Sequence, residues 1–228
     1  MKKLLAVLLA LTMLFAFAAC GGGEDKNQND NDTGINTNNG SDLDAAPDNS
    51  EDETAKPLRG SVSGDVYTNE FAGITFTKPA EWKYLSDKEL AETVNIGQDA
   101  LDLSDLEVAL AETATVYDMA AMDEAYGNSV MVLYENTLLS GGRKVTAEEY
   151  VSLLKTSLGE QTALSYTFES ESKALLGDTE FIRGVFSAET NGVTLKQAFY
   201  VRVVDKYAIA VAVTLTNTEI TEAEAMFS

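Results

Sequence analysis

Tyr207-Ala208-Ile209-Ala210-Val211-Ala212-Val213-Thr214-Leu215 is the stretch from which the fold can be worked out. In an extended chain, successive side chains point to opposite sides of the sheet. One side of this stretch therefore carries tyrosine, isoleucine, valine and leucine, and the other carries alanine and threonine. Neither side is charged. This pattern is typical of a central strand that is covered on both faces, and the small side chains leave room for a closely packed helix.

Turn signals place antiparallel partners next to this strand. Asn191-Gly192 separates residues 179–189 from residues 193–204, and Asn-Gly between two such runs is the strongest short-range signal for a hairpin. Asp205-Lys206 then turns the chain into the stretch quoted above. Two further pairs of extended segments have hairpin-like spacing: residues 67–69 with 74–77, and residues 115–123 with 130–136.

Four Ser/Thr-x-x-Glu capping boxes mark expected helix starts, because the hydroxyl and the carboxylate bind backbone N–H groups that a helix leaves unpaired. They are Ser86 with Glu89, Ser104 with Glu107, Thr146 with Glu149, and Thr221 with Glu224. The third opens the helix with the clearest apolar face, which ends at Gly159. That face comprises Ala147, Val151, Leu154 and Leu158. The sequence therefore predicts an α+β fold, with an antiparallel β-sheet and helices on both of its faces.

The start of this region resembles the opening of PsbP-like domains, where a hairpin of the form Y-x-N…G-[FI]-x-F runs into P-x-x-W before a helix. The matching segments are Val66-Tyr67-Thr68-Asn69-Glu70, Gly73-Ile74-Thr75-Phe76-Thr77, Pro79-Ala80-Glu81-Trp82 and Ser86-Asp87-Lys88-Glu89-Leu90. The resemblance extends over about residues 62–228 and includes a group of lipoproteins from Gram-positive bacteria. It implies an α/β/α sandwich with a non-catalytic, protein-binding accessory role outside the cytoplasm. It assigns no functional residue to a position of this chain.

The N-terminal residues predict export and lipid attachment. Met1-Lys2-Lys3 precedes an apolar run over residues 4–17, which is shorter than the roughly 20 residues of a membrane-spanning helix. Ala18-Ala19 stands directly before Cys20, the only cysteine, in a pattern that resembles a bacterial lipoprotein signal. We expect a signal peptide over residues 1–19 and a lipid on the Cys20 sulfur, which anchors the chain stably at the extracytoplasmic face of the cell membrane. The alternative is an ordinary secretory signal that leaves Cys20 as a free thiol.

Residues 20–59 are expected to form a disordered acidic tether. Between positions 24 and 56 there are ten acidic residues and two lysines, and such a segment buries too little apolar surface to offset the entropy lost on folding. A flexible chain of about 36 residues has a mean reach of roughly 30–36 Å. A calcium-binding EF-hand loop is excluded, because the twelfth position of the loop is Gly40 instead of glutamate. Residues 60–228 are then the folded domain.

Composition limits the chemistry that the domain can perform. The chain contains no histidine, which removes the commonest general base and a common metal ligand. Lipid on Cys20 removes thiolate and zinc sites as well. The formal net charge of −21 argues against nucleic acid or anionic lipid as a partner of the domain. We therefore expect no enzyme activity, no cofactor and no metal.

Four polar groups could still carry chemistry, and each has a plainer interpretation. Ser152 and Lys155 match the Ser-x-x-Lys element of penicillin-recognising enzymes, but no companion motif accompanies them. Gly141-Gly142-Arg143-Lys144 could bind an anion before a helix, although it is equally what a solvated loop contains. Asp118 and Asp123 lie about 17 Å apart on a strand, beyond the ~5–9 Å of a glycosidase pair. An acidic stretch could bind Ca²⁺ or simply precede a helix: Asp99, Asp102, Asp105 and Glu107.

Aromatic residues are expected in the core, with a sugar-stacking platform as the alternative. They are Trp82, Phe76, Phe181, Phe186, Phe199 and Tyr200. The sequence as a whole predicts a membrane-tethered lipoprotein whose domain binds an envelope protein at the cell surface. The alternatives are a binder of a small ligand, either a glycan fragment or a cation, and, more remotely, a hydrolase.

Overall fold

The computed structural model describes residues 56–94, 110, 114–123, 127–161, 164–190, 192–216 and 218–228. The expected signal peptide, Cys20 and most of the tether lie outside these residues. The acidic stretch over residues 99–107 and the capping box of Ser104 also lie outside them. Among the described residues, no helix combines the length and the apolar character needed to cross a membrane.

In the part of the chain that the structure describes, ten strands form two antiparallel sheets. The small sheet has the order β1 (Ser61–Ser63), β2 (Val66–Asn69) and β3 (Ile74–Thr77). The strands of the large sheet are β4 (Lys83–Tyr84), β5 (Thr115–Met122), β6 (Ser129–Asn136), β7 (Tyr166–Leu176), β8 (Thr179–Thr190), β9 (Val193–Val204) and β10 (Tyr207–Leu215). Their order across the sheet is β4-β5-β6-β10-β9-β8-β7, so β10 is the middle strand.

Helices cover parts of both faces of the large sheet. They are α1 (Asp87–Val94), α2 (Thr137–Gly141), α3 (Ala147–Gly159) and α4 (Ile220–Glu224). Buried residues of α1 and α3 share one core cluster with Ala208, and we call this side of the sheet the α3 face. The small sheet and α4 share the other cluster with Ile209, and we call that side the β2 face. The predicted α+β class with helices on both faces is confirmed, although on the β2 face the described elements also include the small sheet, which packs beside the short helix α4.

The prediction for the central strand is confirmed. All nine residues of β10 are buried. Tyr207, Ile209, Val211, Val213 and Leu215 belong to the cluster on the β2 face, and Ala208, Ala210 and Ala212 to the cluster on the α3 face. Val151, Leu154 and Leu158 of α3 are buried in that second cluster. The alanines therefore let a helix pack closely on the middle of the sheet.

The predicted hairpins are present, and the structure adds strands that the sequence patterns did not indicate. β2 pairs with β3, β5 with β6, β8 with β9, and β9 with β10, all antiparallel. The additional strands are β1, β4 and β7. β7 does not show a clear alternation of apolar and polar residues, because most of its side chains are polar or exposed. In addition, a bulge between Phe168 and Ser170 interrupts its period of two.

Two of the capping boxes are confirmed and one is wrong. Ser86 and Thr146 exchange the expected hydrogen bonds with Glu89 and Glu149. The last helix begins two residues earlier than predicted, with Glu219 instead of Thr221 as its N-cap. The carboxylate of Glu224 instead accepts hydrogen bonds from Arg183 at 2.6 Å and from Tyr200 at 2.8 Å, because these donors lie beneath α4 on the sheet.

The C-terminal residues extend the small sheet. The backbone N–H groups of Thr75 and Thr77 donate to the carbonyl oxygens of Ser228 and Met226, and Ser228 N–H donates back to Thr75. Phe76 and Phe227 form the bridge between the two segments. Gly177, in the turn between β7 and β8, lies directly against the Ser228 backbone. The end of the chain therefore joins the small sheet to one corner of the large sheet.

Candidate functional site

Asp118 lies at a β-bulge and is the centre of a buried polar cluster. The register between β5 and β6 shifts between Tyr117 and Met119, which makes Asp118 the extra residue. Its side chain is 1% exposed and reaches the small sheet on the β2 face. Oδ2 accepts hydrogen bonds from the Tyr67 hydroxyl at 2.5 Å and from Asn69 Nδ2 at 2.9 Å.

Asn69 connects this carboxylate to a second tyrosine. Its Nδ2 also donates to the hydroxyl oxygens of Tyr67 and Tyr134. Burial, reinforced by the negative charge of Asp118, raises the pKa of Tyr67 well above its ordinary value. Burial and the negative charge of Asp118 also raise the pKa of Tyr134. Both phenols therefore stay protonated and act as hydrogen-bond donors rather than as bases.

The same cluster holds the first residues of the domain. The backbone N–H of Gly60 donates to Asp118 Oδ2 at 2.8 Å, and Tyr134 donates its hydroxyl proton to the Leu58 carbonyl at 3.2 Å. Arg59 Nη1 lies 3.6 Å from Asp118 Oδ1, so both carboxylate oxygens are engaged. A buried carboxylate is stable only when it is paired and hydrogen-bonded in this way. We call residues 58–60, together with Tyr67, Asn69, Asp118 and Tyr134, the entry clamp.

A second buried carboxyl group lies on the α3 face. Glu135, near the end of β6, is 1% exposed, and its Oε2 accepts the Tyr150 hydroxyl at 2.5 Å. Its Oε1 has no hydrogen-bond partner. Burial raises the pKa of Glu135, while hydrogen bonds from Ser140 and Tyr150 oppose the rise. Glu135 can therefore hold a proton at a higher pH than an exposed glutamate.

A third cluster fastens α4 to the large sheet. Glu224 Oε1 accepts from Arg183 Nη1 and from the Tyr200 hydroxyl, and Arg183 Nη2 donates to Ser172 Oγ at 3.1 Å. The side chains of Arg183 and Glu224 are each less than a quarter exposed. An ion pair that is partly shielded from water and has further hydrogen bonds orients a helix more firmly than an exposed pair does.

Most of the polar groups considered from the sequence have structural partners. Arg143 pairs with Glu149 at 3.1 Å, and Lys144 pairs with Asp205, so an anion would have to compete with two carboxylates for this loop. Lys155 Nζ lies 4.3 Å from the centre of the Phe168 ring, and Ser152 is exposed on the same helix. The acidic stretch over residues 99–107 lies outside the described residues.

Asp118 and Asp123 have separate surroundings. Asp118 is bound by the entry clamp, whereas Asp123 follows the end of β5, where its backbone N–H donates to the Asn128 carbonyl at 2.9 Å. Across the residues that the structure describes, no three of the His, Cys, Asp or Glu side chains are grouped so that they could hold a metal ion.

The aromatic residues lie in the core, as expected. Trp82 is 5% exposed, and the other five are exposed by 1% or less: Phe76, Phe181, Phe186, Phe199 and Tyr200. Phe186 and Phe199 contact each other edge to face, with ring centres 5.7 Å apart. Rings buried in this way do not offer a stacking surface to a sugar.

Sequence reasoning did not find the two buried carboxyl clusters. Tyr67 and Asn69 belong to a family-like hairpin pattern in the sequence, and no motif points to Glu135. A signal was present, because Asp118 and Glu135 are charged residues within otherwise apolar strand segments. Such a position indicates either an exposed strand end or a buried, partnered group, and only the tertiary structure distinguishes the two.

Comparison with known proteins finds similar solved structures but no matching family. No family model matches the chain, and no curated protein matches it. Among solved structures, a cyanobacterial PsbP from Synechocystis is similar with a TM-score of 0.44 and 9% identity, over 74% of this chain and 97% of that one. LpqN of Mycobacterium tuberculosis, described as involved in cell envelope biogenesis, is similar with a TM-score of 0.37 and 10% identity, over 67% of this chain and 76% of that one.

Proposed function

We propose that this chain is an exported lipoprotein, anchored through Cys20, whose domain is a non-enzymatic accessory module that binds a protein at the cell envelope. The N-terminal signal pattern and the acidic segment after it support the anchoring. The observation that carries the proposal is the entry clamp, which attaches residues 58–60 to the domain at the boundary with the expected tether.

The position of the clamp suits a tethered module. Gly60 and Arg59 bind the carboxylate of Asp118, which lies in the large sheet, and Tyr67 joins the same carboxylate from the small sheet. Tension or thermal motion of the tether therefore acts on a buried, hydrogen-bonded junction that connects both sheets. A tether that ended in a loosely held strand would instead fray the edge of the domain.

The protein contacts of the Asp118 and Glu224 carboxylates support a binding rather than a catalytic role. Asp118 is occupied by holding the two sheets together, and Glu224 by holding α4 to Arg183 and Tyr200. A catalytic acid or base needs a reacting group within hydrogen-bond distance, and these oxygens already face protein donors. A glycan-binding role is not favoured because the aromatic rings lie in the core, and a cation site in the acidic stretch stays an expectation from the sequence.

The anchoring can be tested by detergent partitioning of cells that express the full chain. The unsubstituted protein should enter the detergent phase, and Cys20→Ala should move to the aqueous phase or to the medium. Thr37→Ala, which changes the tether without touching the cysteine, is the matched control and should partition as the unsubstituted protein does. Retention of Cys20→Ala in the detergent phase would contradict lipid attachment.

The accessory role can be tested separately by crosslinking in intact cells followed by affinity capture. One envelope protein should be recovered reproducibly with the anchored chain and should be depleted with Cys20→Ala, because release from the membrane lowers the local concentration. Recovery of no envelope protein in repeated experiments would contradict the proposed binding role while leaving the anchoring result intact.

A further inference from the structure

β7 is a long strand, and one of its edges is unpaired among the described residues. It has eleven residues, about twice the typical strand length. It pairs with β8 on one side and is last in the strand order of the large sheet. In the described part of the chain, no backbone hydrogen bond joins its outer side to another segment. An edge of this kind presents a row of N–H and C=O groups that can pair with another strand.

Beyond its bulge, β7 carries charges on one side and small side chains on the other. Lys173 lies opposite Ile182, which belongs to the core of the α3 face, and Glu171, two residues away, shares that face. Ser172 accepts a hydrogen bond from Arg183, and Ala174 packs against the core of the β2 face. Glu171 and Lys173 are exposed, so an added strand can reach both.

We propose that two copies of this chain pair through β7, antiparallel, about a twofold axis at Ser172. In this register Glu171 lies opposite Lys173 of the partner subunit, and the symmetry repeats the contact. Ser172 faces its own counterpart, and Ser170 faces Ala174 of the partner subunit. Opposite charges on directly facing residues stabilise a strand pair, and a C2 interface uses the same surface on both copies.

Each neighbouring register brings two like charges together at its central pair, which the proposed register does not. A shift of two residues in one direction places Glu171 opposite Glu171 of the partner subunit. A shift of two residues in the other direction places Lys173 opposite Lys173 of the partner subunit. Like charges at facing positions destabilise a strand pair. Lys173 already pairs with Glu180 at 2.8 Å within its own chain, so the proposed contact with Glu171 of the partner subunit extends an existing ion pair into a network of three residues, which the symmetry repeats.

The symmetry also suits the proposed tether. Residues that face each other across an antiparallel pair lie on the same face of the sheet, so the twofold axis is perpendicular to the sheet. The β2 faces of both copies then point in one direction, and the entry clamp of each lies on that face. Both tethers leave on one side, where two anchors can enter the same membrane. The shared membrane side depends on the proposed anchoring, whereas the β7 pairing does not.

Disulfide formation tests the axis directly. Cells that express Ser172→Cys should yield a covalent dimer on mild oxidation, because facing Cβ atoms lie about 4.5–5.5 Å apart across strands. Ser170→Cys is the matched control on the same face and should stay monomeric, since its counterpart lies on the far side of the axis. The unsubstituted chain, treated identically, reports any disulfide through Cys20. Absence of a dimer with Ser172→Cys, or equal yields from both variants, would overturn the proposal.

Charge reversal tests the register without a cysteine. Sedimentation of the exported chain carrying Cys20→Ala should show dimers at about 0.15 M salt, where the Debye length is about 8 Å and repulsion between two acidic domains is largely screened. Glu171→Lys should weaken association about ten- to hundred-fold, because lysine then faces lysine twice. The double variant Glu171→Lys with Lys173→Glu should restore it. Lys196→Glu, which breaks an exposed ion pair away from β7, should leave it unchanged.

A monomer at all concentrations in the exported chain that carries Cys20→Ala alone overturns the proposal. So does a double variant that associates no better than Glu171→Lys alone, because the proposed register requires the exchanged charges to be complementary.

Discussion

The two buried carboxyl groups differ in how well they are partnered. Both oxygens of Asp118 are engaged, by a guanidinium and by three hydrogen-bond donors. Glu135 has one partnered oxygen and one without a hydrogen bond. A buried carboxylate without enough donors is disfavoured relative to the neutral acid, which is why burial raises the pKa of Glu135. We therefore expect the stability of the domain to depend on pH through Glu135.

Glu135→Gln tests this dependence. Below pH about 4.3, Glu135 is mostly neutral in both the unfolded and the folded chain. The free energies of unfolding of Glu135→Gln and of the unsubstituted protein should therefore differ by a constant amount there. As the pH rises, the unfolded glutamate ionises while the folded one resists until its raised pKa is passed. The free energy of unfolding of the unsubstituted protein should therefore fall relative to that of the variant, by up to about 1.4 kcal/mol per pH unit in this window.

The measurement is urea unfolding of both proteins between pH 4 and pH 8. Tyr150→Phe provides a second variant, because removal of the hydroxyl takes away a hydrogen bond that lowers the pKa of Glu135. In that variant the fall in stability should continue to higher pH. A difference between Glu135→Gln and the unsubstituted protein that stays flat with pH contradicts this account.

At the scale of elements, two similar sequence motifs have different roles. Thr146 and Glu149 form a complete capping box at the start of α3, whereas Thr221 lies inside the first turn of α4 and Glu224 is bound to the sheet. The difference has a physical cause. Glu149 is exposed and free to fold back on its own helix, but Glu224 faces Arg183 and Tyr200, and a charge-assisted hydrogen bond to the sheet is the stronger interaction.

Removal of the two threonine hydroxyls should therefore have unequal effects. Thr146→Ala should lower the free energy of unfolding by about 1 kcal/mol, because an N-terminal backbone N–H of α3 loses its acceptor. Thr221→Ala should change it by less than about 0.5 kcal/mol, since Thr221 is exposed and caps nothing. Urea unfolding at neutral pH measures both. Equal losses would show that α4 begins with the capping box after all.

At the scale of the whole molecule, the C-terminal residues close the fold. Residues 226–228 add to the small sheet beside β3, and the Ser228 backbone lies against the turn between β7 and β8. Gly177 in that turn has a φ of 60°, and a Cβ at this position would come within 2.6 Å of the Ser228 carbonyl oxygen. Glycine is therefore required twice, once for the backbone angle and once for the close approach.

Gly177→Ala should destabilise the protein more than a backbone effect alone can explain. Gly64→Ala is the matched control, because Gly64 has a φ of 61° and nothing within 4 Å of a built Cβ. The control should cost about 1–2 kcal/mol in the free energy of unfolding, which is the penalty for a left-handed residue with a side chain.

The loss of stability in Gly177→Ala should exceed this penalty, because residues 226–228 must move. It should also speed hydrogen exchange at the amides of Thr75 and Thr77, which donate to Ser228 and Met226. Equal losses of stability for the two variants, with unchanged exchange at Thr75 and Thr77, would show that the chain end does not close the fold.

Much of the fold could be predicted from local patterns. The alternation in β10 indicates its central place, its two faces and the helix on its alanines. Asn191-Gly192 and Asp205-Lys206 indicate the neighbouring hairpins, and Thr146 marks the start of α3. β7 was missed because its polar and exposed residues leave no period of two to read, and the capping box at Thr221 was misjudged because local hydrogen bonding was overridden by Arg183, 41 residues away.

The candidate site could be predicted far less well. Asp118 was considered only for a pairing with Asp123, whereas its partners Tyr67, Asn69 and Gly60 are 49 to 58 residues away in sequence. Glu135 lies in an apolar strand, but nothing nearby in the sequence shows that Tyr150 donates to it. Burial and long-range partners determine whether such a carboxyl group is ionised, and neither quantity has a local signature.

By itself, the sequence determined the predicted hairpins, the central strand, the start of α3, the aromatic core and the expectation of a lipid on Cys20. These follow from short-range rules, because alternation, turn chemistry, capping and signal patterns act over a few residues. Only the tertiary structure decided that Asp118 joins the two sheets to residues 58–60, that Glu135 is buried with one oxygen that accepts no hydrogen bond, and that one edge of β7 pairs with no other described strand. These follow from contacts between distant segments, because packing in three dimensions alone decides which groups water can reach.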